Sequence, residues 1–376
     1  MERVALALML CLAACAGETP TQAVRALSAA EVLTGTAPEG FARADRPRAF
    51  TFPADHGAHP DFQSEWWYVT GHLTNDDGAR YGYQVTFFRR ALRPDGPART
   101  ESAWESNVLW MGHAALLEVE PARFHALERF EREALGLAGA GGEPLVVRVA
   151  DWTLEGTGRD LFPLRARAGD APFALDLTLE PTKPLVLHGR DGWSRKGDEP
   201  GNSSYYYSAT RLSTRGTLRV GEREFAVTGR SWLDREWSTS VLDEGQVGWD
   251  WFALQLDDGR ELMLYELRLR DGTPSPWSSG TLVERDGTGR ALTRDDFELE
   301  VLERWTSPAS GAVYPARWRL RVPGEDLALE LVPLATDAEL RLSIRYWEGP
   351  AEVRDFGGNR VGRAYVELVG YGDDER

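Results

Sequence analysis

Beyond Glu65 the chain runs in short stretches of β-branched and aromatic residues, broken by Asp-Gly or other glycine-bearing turns. In Arg317-Trp318-Arg319-Leu320-Arg321-Val322 every second residue is apolar, the period of a strand with one wet face. One stretch departs from this. PARFHALERFEREALGLAG (121–139) has Pro121 near its start, Phe124, Leu127 and Phe130 at helical spacing, and glycine near its end, which predicts a helix. A shorter helical patch is predicted near Val24 to Leu33. The remainder predicts a predominantly antiparallel all-β protein, either barrel or sandwich.

The pattern contains an echo. Trp66 to Arg89 and Trp249 to Arg268 each read as a Trp-led strand, an Asp-Asp-Gly turn, a second strand with tyrosine and a closing arginine. Asp-Gly between alternating strands is a hairpin signal. Its repetition predicts two similar β domains, 48–240 and 241–376, each opening on the same hairpin; coincidence of two hairpins is the competing explanation.

The N-terminus changes the picture of location. Arg3 precedes an apolar run from Val4 to Ala14, too short to span a bilayer and of the length of a secretion signal. Leu12-Ala13-Ala14-Cys15 resembles the lipobox of bacterial lipoproteins; an ordinary signal peptide with a chance cysteine is the competing explanation, and the small residues at both positions before the cysteine favour the lipobox. Residues 1–14 are therefore expected as signal peptide, Cys15 as the lipidated residue, and 15–47 as tether. Ala16, where aspartate would retain a lipoprotein at the inner membrane, points to the outer membrane and its periplasmic face. Of the two cysteines, Cys11 would leave with the signal, so no thiol remains for a disulfide, a metal or a nucleophile.

A net charge of -16 over 376 residues argues against a nucleic-acid partner, since phosphate contacts need a basic face. Hydrophobic residues at 42% exclude a disordered acidic chain. Fourteen tryptophans suit a β protein with an aromatic-lined cavity.

No G-x-S-x-G, H-E-x-x-H, C-x-x-C or phosphate-loop pattern occurs, and no histidine follows His188. Asp55, His56, His59, Asp61 and Glu65 are potential metal donors, but their loop gives them no shared face. Rim histidines are the preferred reading, and no metal or other cofactor is expected. On a strand, Trp66 and Tyr68 face one side, Glu65 and Trp67 the other. Glu65 buried beside tryptophan would be a proton donor, unless it pairs with an arginine such as Arg89. GRSWLDREWSTS (229–240) is the densest polar cluster: Asp234, Arg235 and Glu236 between Trp232 and Trp237. It reads either as acid catalysis on an alkene or carbonyl, or as an interdomain clasp in which Arg235 satisfies both acids. Trp249, Asp250 and Trp251 repeat the aromatic-acid theme, Tyr265-Glu266 follows on the paired strand, and Tyr206 is placed to line a cavity.

Three stretches together resemble one family. FPADHGAHPDFQSEWWYVTGHL (52–73), GRSWLDREW with the Trp249–Arg268 hairpin, and YWEGPAEV with GRAYVELVGY near the end are similar to the AttH and carotenoid 1,2-hydratase family. The resemblance implies two tandem lipocalin-like antiparallel β-barrels, calycin-like, with few short helices. It also implies an activity range: hydratases that add water to a terminal isoprenoid double bond by acid catalysis, polyene cyclases, and secreted proteins labelled hydrolases that accompany ABC-type permeases. Arg235 stands where the hydratases carry histidine, and Leu267 where they carry aspartate.

Two main functional classes follow, with a third beside them. One is a membrane-tethered protein that binds an apolar small molecule, lipid or isoprenoid, with Asp234, Glu236 and Tyr265 as catalytic residues. Glu65, Trp66, Trp67, Tyr206, Trp232, Arg235, Trp237, Trp249, Asp250 and Trp251 would then shape its site. The other is a non-enzymatic accessory lipoprotein of an ABC-type permease; an atypical hydrolase is a third class. The first expects Asp234 or Glu236 in a cavity, the second expects them tied to Arg235 beside a filled barrel.

Overall fold

In the computed structural model, the described residues are 27–28, 39–94, 106–158, 161–240 and 242–372. They form two large curled antiparallel sheets, of thirteen and eleven strands, with three short 3-10 turns as the only helical elements among them. The protein is all-β, built as two barrels in the lipocalin-like manner. At the centre of the first sheet lie Ser64–Asn75, Arg223–Ser238 and Ser203–Val220. At the centre of the second lie Glu261–Leu269, Gln246–Leu256, Arg360–Val369 and Ile344–Asp355.

The two echoing stretches are hairpins of the same form. The first joins Ser64–Asn75 to Arg80–Ala91, the second Gln246–Leu256 to Glu261–Leu269. Each turn closes through a glycine amide, Gly78 to Asn75 O at 3.0 Å and Gly259 to Leu256 O at 3.2 Å. Both glycines have positive φ (83° and 93°), the backbone that the Asp-Gly signal anticipates.

Alternation explains how each barrel fills itself. Trp67, Val69, Tyr83, Phe87 and Trp110 belong to the core inside the first barrel, Trp67 and Trp110 stacking at 5.7 Å. Phe252, Leu254, Trp318 and Trp347 pack inside the second. The intervening residues point outward, and on facing sheets these too are apolar: Tyr68, Trp232, Trp251, Tyr265 and Tyr365 form a separate cluster where the barrels meet. The barrels approach so closely that a Cβ on Gly82 would lie 2.2 Å from Pro350 Cγ. Glu261 of the second barrel receives Lys183 at 2.6 Å and Arg211 from the first. An interdomain clasp therefore exists, but its acid is Glu261 and not the pair flanking Arg235.

The stretch expected as a helix, 121–139, contains the strand Arg123–Arg132, paired with Val108–Glu118 at the sheet edge. Phe124, Leu127 and Phe130 mimic helical spacing, yet both faces are used. Leu127 packs on the first core, while Phe124 and Ala126 touch clusters of the second barrel. A two-sided strand wedged between barrels loses simple alternation and reads as helical. Near the predicted patch at 24–33, the described pair Leu27–Ser28 is a parallel strand beside Ile344–Arg345. Cys15 and the signal lie outside the described residues. The later part of the expected tether is packed chain: Ala44 is buried, its carbonyl accepts Trp193 Nε1 at 2.7 Å, and Arg46 O accepts the Tyr205 hydroxyl at 2.9 Å.

Candidate active site

Between the outer faces of the two barrels lies a cavity of about 280 Å³. Trp66, Tyr206, Asp234 and Glu236 come from the first barrel, Trp249, Trp251, Tyr265, Leu267 and Glu367 from the second. The strand register explains the grouping: Glu236 pairs with Trp66 and Asp234 with Tyr68, and all four share one face. Across the gap, Tyr68 meets Trp251 edge-on at 5.3 Å. Phe88, Leu109 and Met111 extend the wall as apolar surface.

Asp234 is buried and accepts Tyr206 Oη at 2.6 Å, Trp232 Nε1 at 2.5 Å and Ser208 Oγ. Burial pushes its carboxyl up to about 7. The three donors oppose the shift without cancelling it, and the neighbouring charge of Glu236 adds to it. Glu236 differs, because Lys196 forms an ion pair with it. The ammonium also lies 5.8 Å from the Trp66 ring centroid and 5.6 Å from that of Tyr265. The Tyr265 hydroxyl bonds Ser194 Oγ at 2.9 Å. Glu367 accepts Trp249 Nε1 at 2.7 Å, and its pKa too is pushed by burial, to about 7.

Several residues expected in the site face elsewhere. Trp67, Arg235 and Trp237 lie on the opposite side of their strands. Arg235 holds neither the Asp234 nor the Glu236 carboxylate, touching only the Glu236 carbonyl at 3.0 Å; its guanidinium pairs with Glu65 at 2.5 Å over the Trp67 ring, 3.9 Å from the centroid. Glu65 reaches the cavity lining but is no proton donor. Burial would raise its pKa, but Arg235, His59 and Arg89 outweigh that and hold it down at about 2. Trp232 stands behind Asp234 as its hydrogen-bond donor. Asp250 turns away from the cavity, held by Arg268 and by Tyr371 Oη at 2.9 Å. Glu266 likewise faces away, 3.8 Å from Arg294, and Leu267 occupies the cavity position beside Tyr265. His59 stacks on Trp237 at 3.8 Å and bonds Asp55 at 3.1 Å, while His56 bonds Tyr207 at 2.6 Å. Among the described residues no three histidine, cysteine or acidic side chains converge to hold a metal ion.

Lys196, His113, Tyr346, Glu348 and Glu367 were not anticipated. A signal existed for some of them. Lys196 is one of two lysines in a chain that otherwise uses arginine, and the other, Lys183, forms the clasp. Tyr346-Trp347-Glu348 and Tyr365-Val366-Glu367 each put an acid two residues after a tyrosine inside an apolar strand. The cavity joins an apolar volume to carboxyls that burial keeps near neutrality, an arrangement able to bind a neutral molecule and exchange protons with it.

A candidate AttH protein from Nitrosomonas europaea shares the fold at TM-score 0.78 and 34% identity, over 88% of this chain and all of that one. Kievitone hydratase from Nectria haematococca aligns at TM-score 0.65 and 16% identity over 90% and 99% of the two chains. CghA, solved with Sch210972, aligns at 0.50 and 13% over 92% and 97%. No curated protein matches the sequence. The AttH-like family model matches residues 43–371, and the chain belongs to the AttH-like family.

Proposed function

We propose that the cavity between the barrels binds a neutral, largely apolar molecule of the lipid or isoprenoid class and adds water to its double bond by acid catalysis. The observation that supports this is Asp234, a buried carboxyl with no cationic partner, facing an apolar cavity and titrating near 7. A general acid works best with its pKa close to the working pH. The Asp234 proton goes to one alkene carbon, the π electrons forming the new C–H bond. The carbocation is then held among the faces of Trp66, Trp251 and Tyr265. Water supplies the oxygen and gives up a proton. Glu236, neutralised by Lys196, is the weaker candidate donor. The two-barrel fold shared with a kievitone hydratase is in keeping with water addition.

Organic extraction of purified protein followed by mass spectrometry tests binding, with a co-purified lipid or isoprenoid expected. An empty extract, with no uptake of the neutral probe N-phenyl-1-naphthylamine, would sink it. Incorporation of oxygen-18 from labelled water into geraniol, a small probe isoprenoid, tests the chemistry.

The membrane anchor rests on sequence alone. We propose Cys15 as the lipidated residue of an outer-membrane lipoprotein facing the periplasm, with an ABC-type permease as its partner class. Metabolic labelling with palmitate, lost in Cys15→Ser, is the expected result.

A further inference from the structure

Glu348 and Glu367 stand directly opposite each other on the neighbouring strands Ile344–Asp355 and Arg360–Val369. Directly opposed side chains have Cβ atoms only about 5 Å apart. Both are on the face turned toward the first barrel, where Tyr346 and Glu367 line the cavity. Their environments differ. Glu367 accepts the Trp249 indole. Glu348 is fully buried; the Tyr68 hydroxyl lies beside it and favours its charged form, but neither carboxyl oxygen meets an N–H or O–H of the described residues in good hydrogen-bond geometry. A carboxylate so placed would lose its hydration with only the poorly aligned Tyr68 hydroxyl in return, a cost of several kcal/mol. As a neutral acid it carries one O–H, and the carboxylate facing it is the available acceptor. Burial first, and the charge of Glu367 second, push the Glu348 carboxyl well above the usual range.

We propose that Glu348 and Glu367 hold one proton between them and form a second proton-transfer site of the cavity, with Glu348 the acid and Glu367 the carboxylate that faces the bound molecule. Its role in turnover rests on the hydration reading; the shared proton does not. When water adds to the cation made by Asp234, a C–O bond forms and one water O–H breaks. That proton goes to Glu367. The pair then holds two protons and Asp234 none, and one proton returned to Asp234 restores the start. The sum is alkene plus water giving alcohol, with no oxidant or reductant. Asp234 and Glu367 thus act from facing sheets.

Infrared spectroscopy of the full chain tests the pair. A neutral-carboxyl C=O band at neutral pH should vanish in Glu348→Gln, and should persist but shift in Glu367→Gln, where an amide replaces the acceptor. Asp234→Asn identifies the band belonging to that acid. A band unchanged in both glutamine variants overturns the pair. With geraniol and oxygen-18 water, both variants should lose about 100-fold in rate, the lower end of general acid–base effects. Parent-like rates overturn the transfer role even if the band behaves as expected. No incorporation by the parent protein counts against the hydration reading and removes the transfer role with it, and the band alone then decides whether the pair shares a proton.

Discussion

His113 of the first barrel and Tyr346 of the second are joined across the cavity wall by a 2.6 Å hydrogen bond between imidazole Nδ1 and phenol oxygen. Two more histidines cross the same junction, His72 Nε2 to Ala364 O at 2.8 Å and His188 Nδ1 to Thr281 Oγ1 at 2.9 Å. Half of the six histidines therefore join the barrels.

These links make the junction sensitive to acid. Burial lowers the pKa of all three, to about 3 for His72 and His188. Between the ordinary histidine value and 3 the unfolded chain binds more protons, so stability falls as pH drops through that window. His188 alone should contribute about 2–3 kcal/mol of loss between pH 6.5 and 4.5. In His188→Asn the dependence of the urea midpoint on pH should flatten. An unchanged slope would show that His188 already titrates normally.

Asp234 has the opposite sign. Its raised pKa means that the folded state binds the extra proton between the usual aspartate range and about 7, so its charge costs stability as pH rises through that window. Asp234→Asn should remove a penalty of roughly 3–4 kcal/mol at pH 8 relative to pH 4. The same variant should lower hydration 100-fold or more, and parent activity should decline above about pH 7 as the acid form disappears. Rates and stabilities measured at pH 6 and 8 check both; an asparagine variant with parent rate is incompatible with Asp234 as the acid.

Arg235→Ala should cost about 3–5 kcal/mol in chemical denaturation, because Glu65 would be left as a buried charge without its main partner. The depressed pKa of Glu65 adds a signature. The pair stabilises the fold above the usual glutamate range, and that contribution is lost as pH falls toward about 2. A loss under 1 kcal/mol would mean that Arg89, 3.2 Å from Glu65, suffices.

Gly82→Ala should loosen the docking of the barrels. The added methyl meets the ring of Pro350, which cannot swing aside like a flexible side chain. Overpacking of this kind costs about 1–3 kcal/mol. Small-angle scattering and denaturation would detect it, and an unchanged profile would place slack at this contact.

The sequence made the strands legible because alternation is local. The parity of Glu65-Trp66-Trp67-Tyr68 assigned Trp66 and Tyr68 to one face, and the Asp-Asp-Gly turns marked both hairpins. It did not say which face looks into a barrel. Trp66 and Trp67 are equally apolar, and only the register with Arg235 and Glu236 shows that Trp67 fills a core while Trp66 lines the cavity. Arg235 was misread for a related reason. Its neighbours in sequence, Asp234 and Glu236, lie on the other side of the strand, and its partner Glu65 is 170 residues away. The strand at 123–132 was hidden because its two faces serve two different barrels.

The cavity is lined by the outside of two closed cores, so its chemistry and the folding of each half depend on largely separate sets of side chains. Residues such as Phe88, Met111 and Leu267 can be exchanged without opening a void inside either barrel. Such a layout favours diversification: descendants of one scaffold can change what they accommodate while the interiors that carry their stability remain as they were.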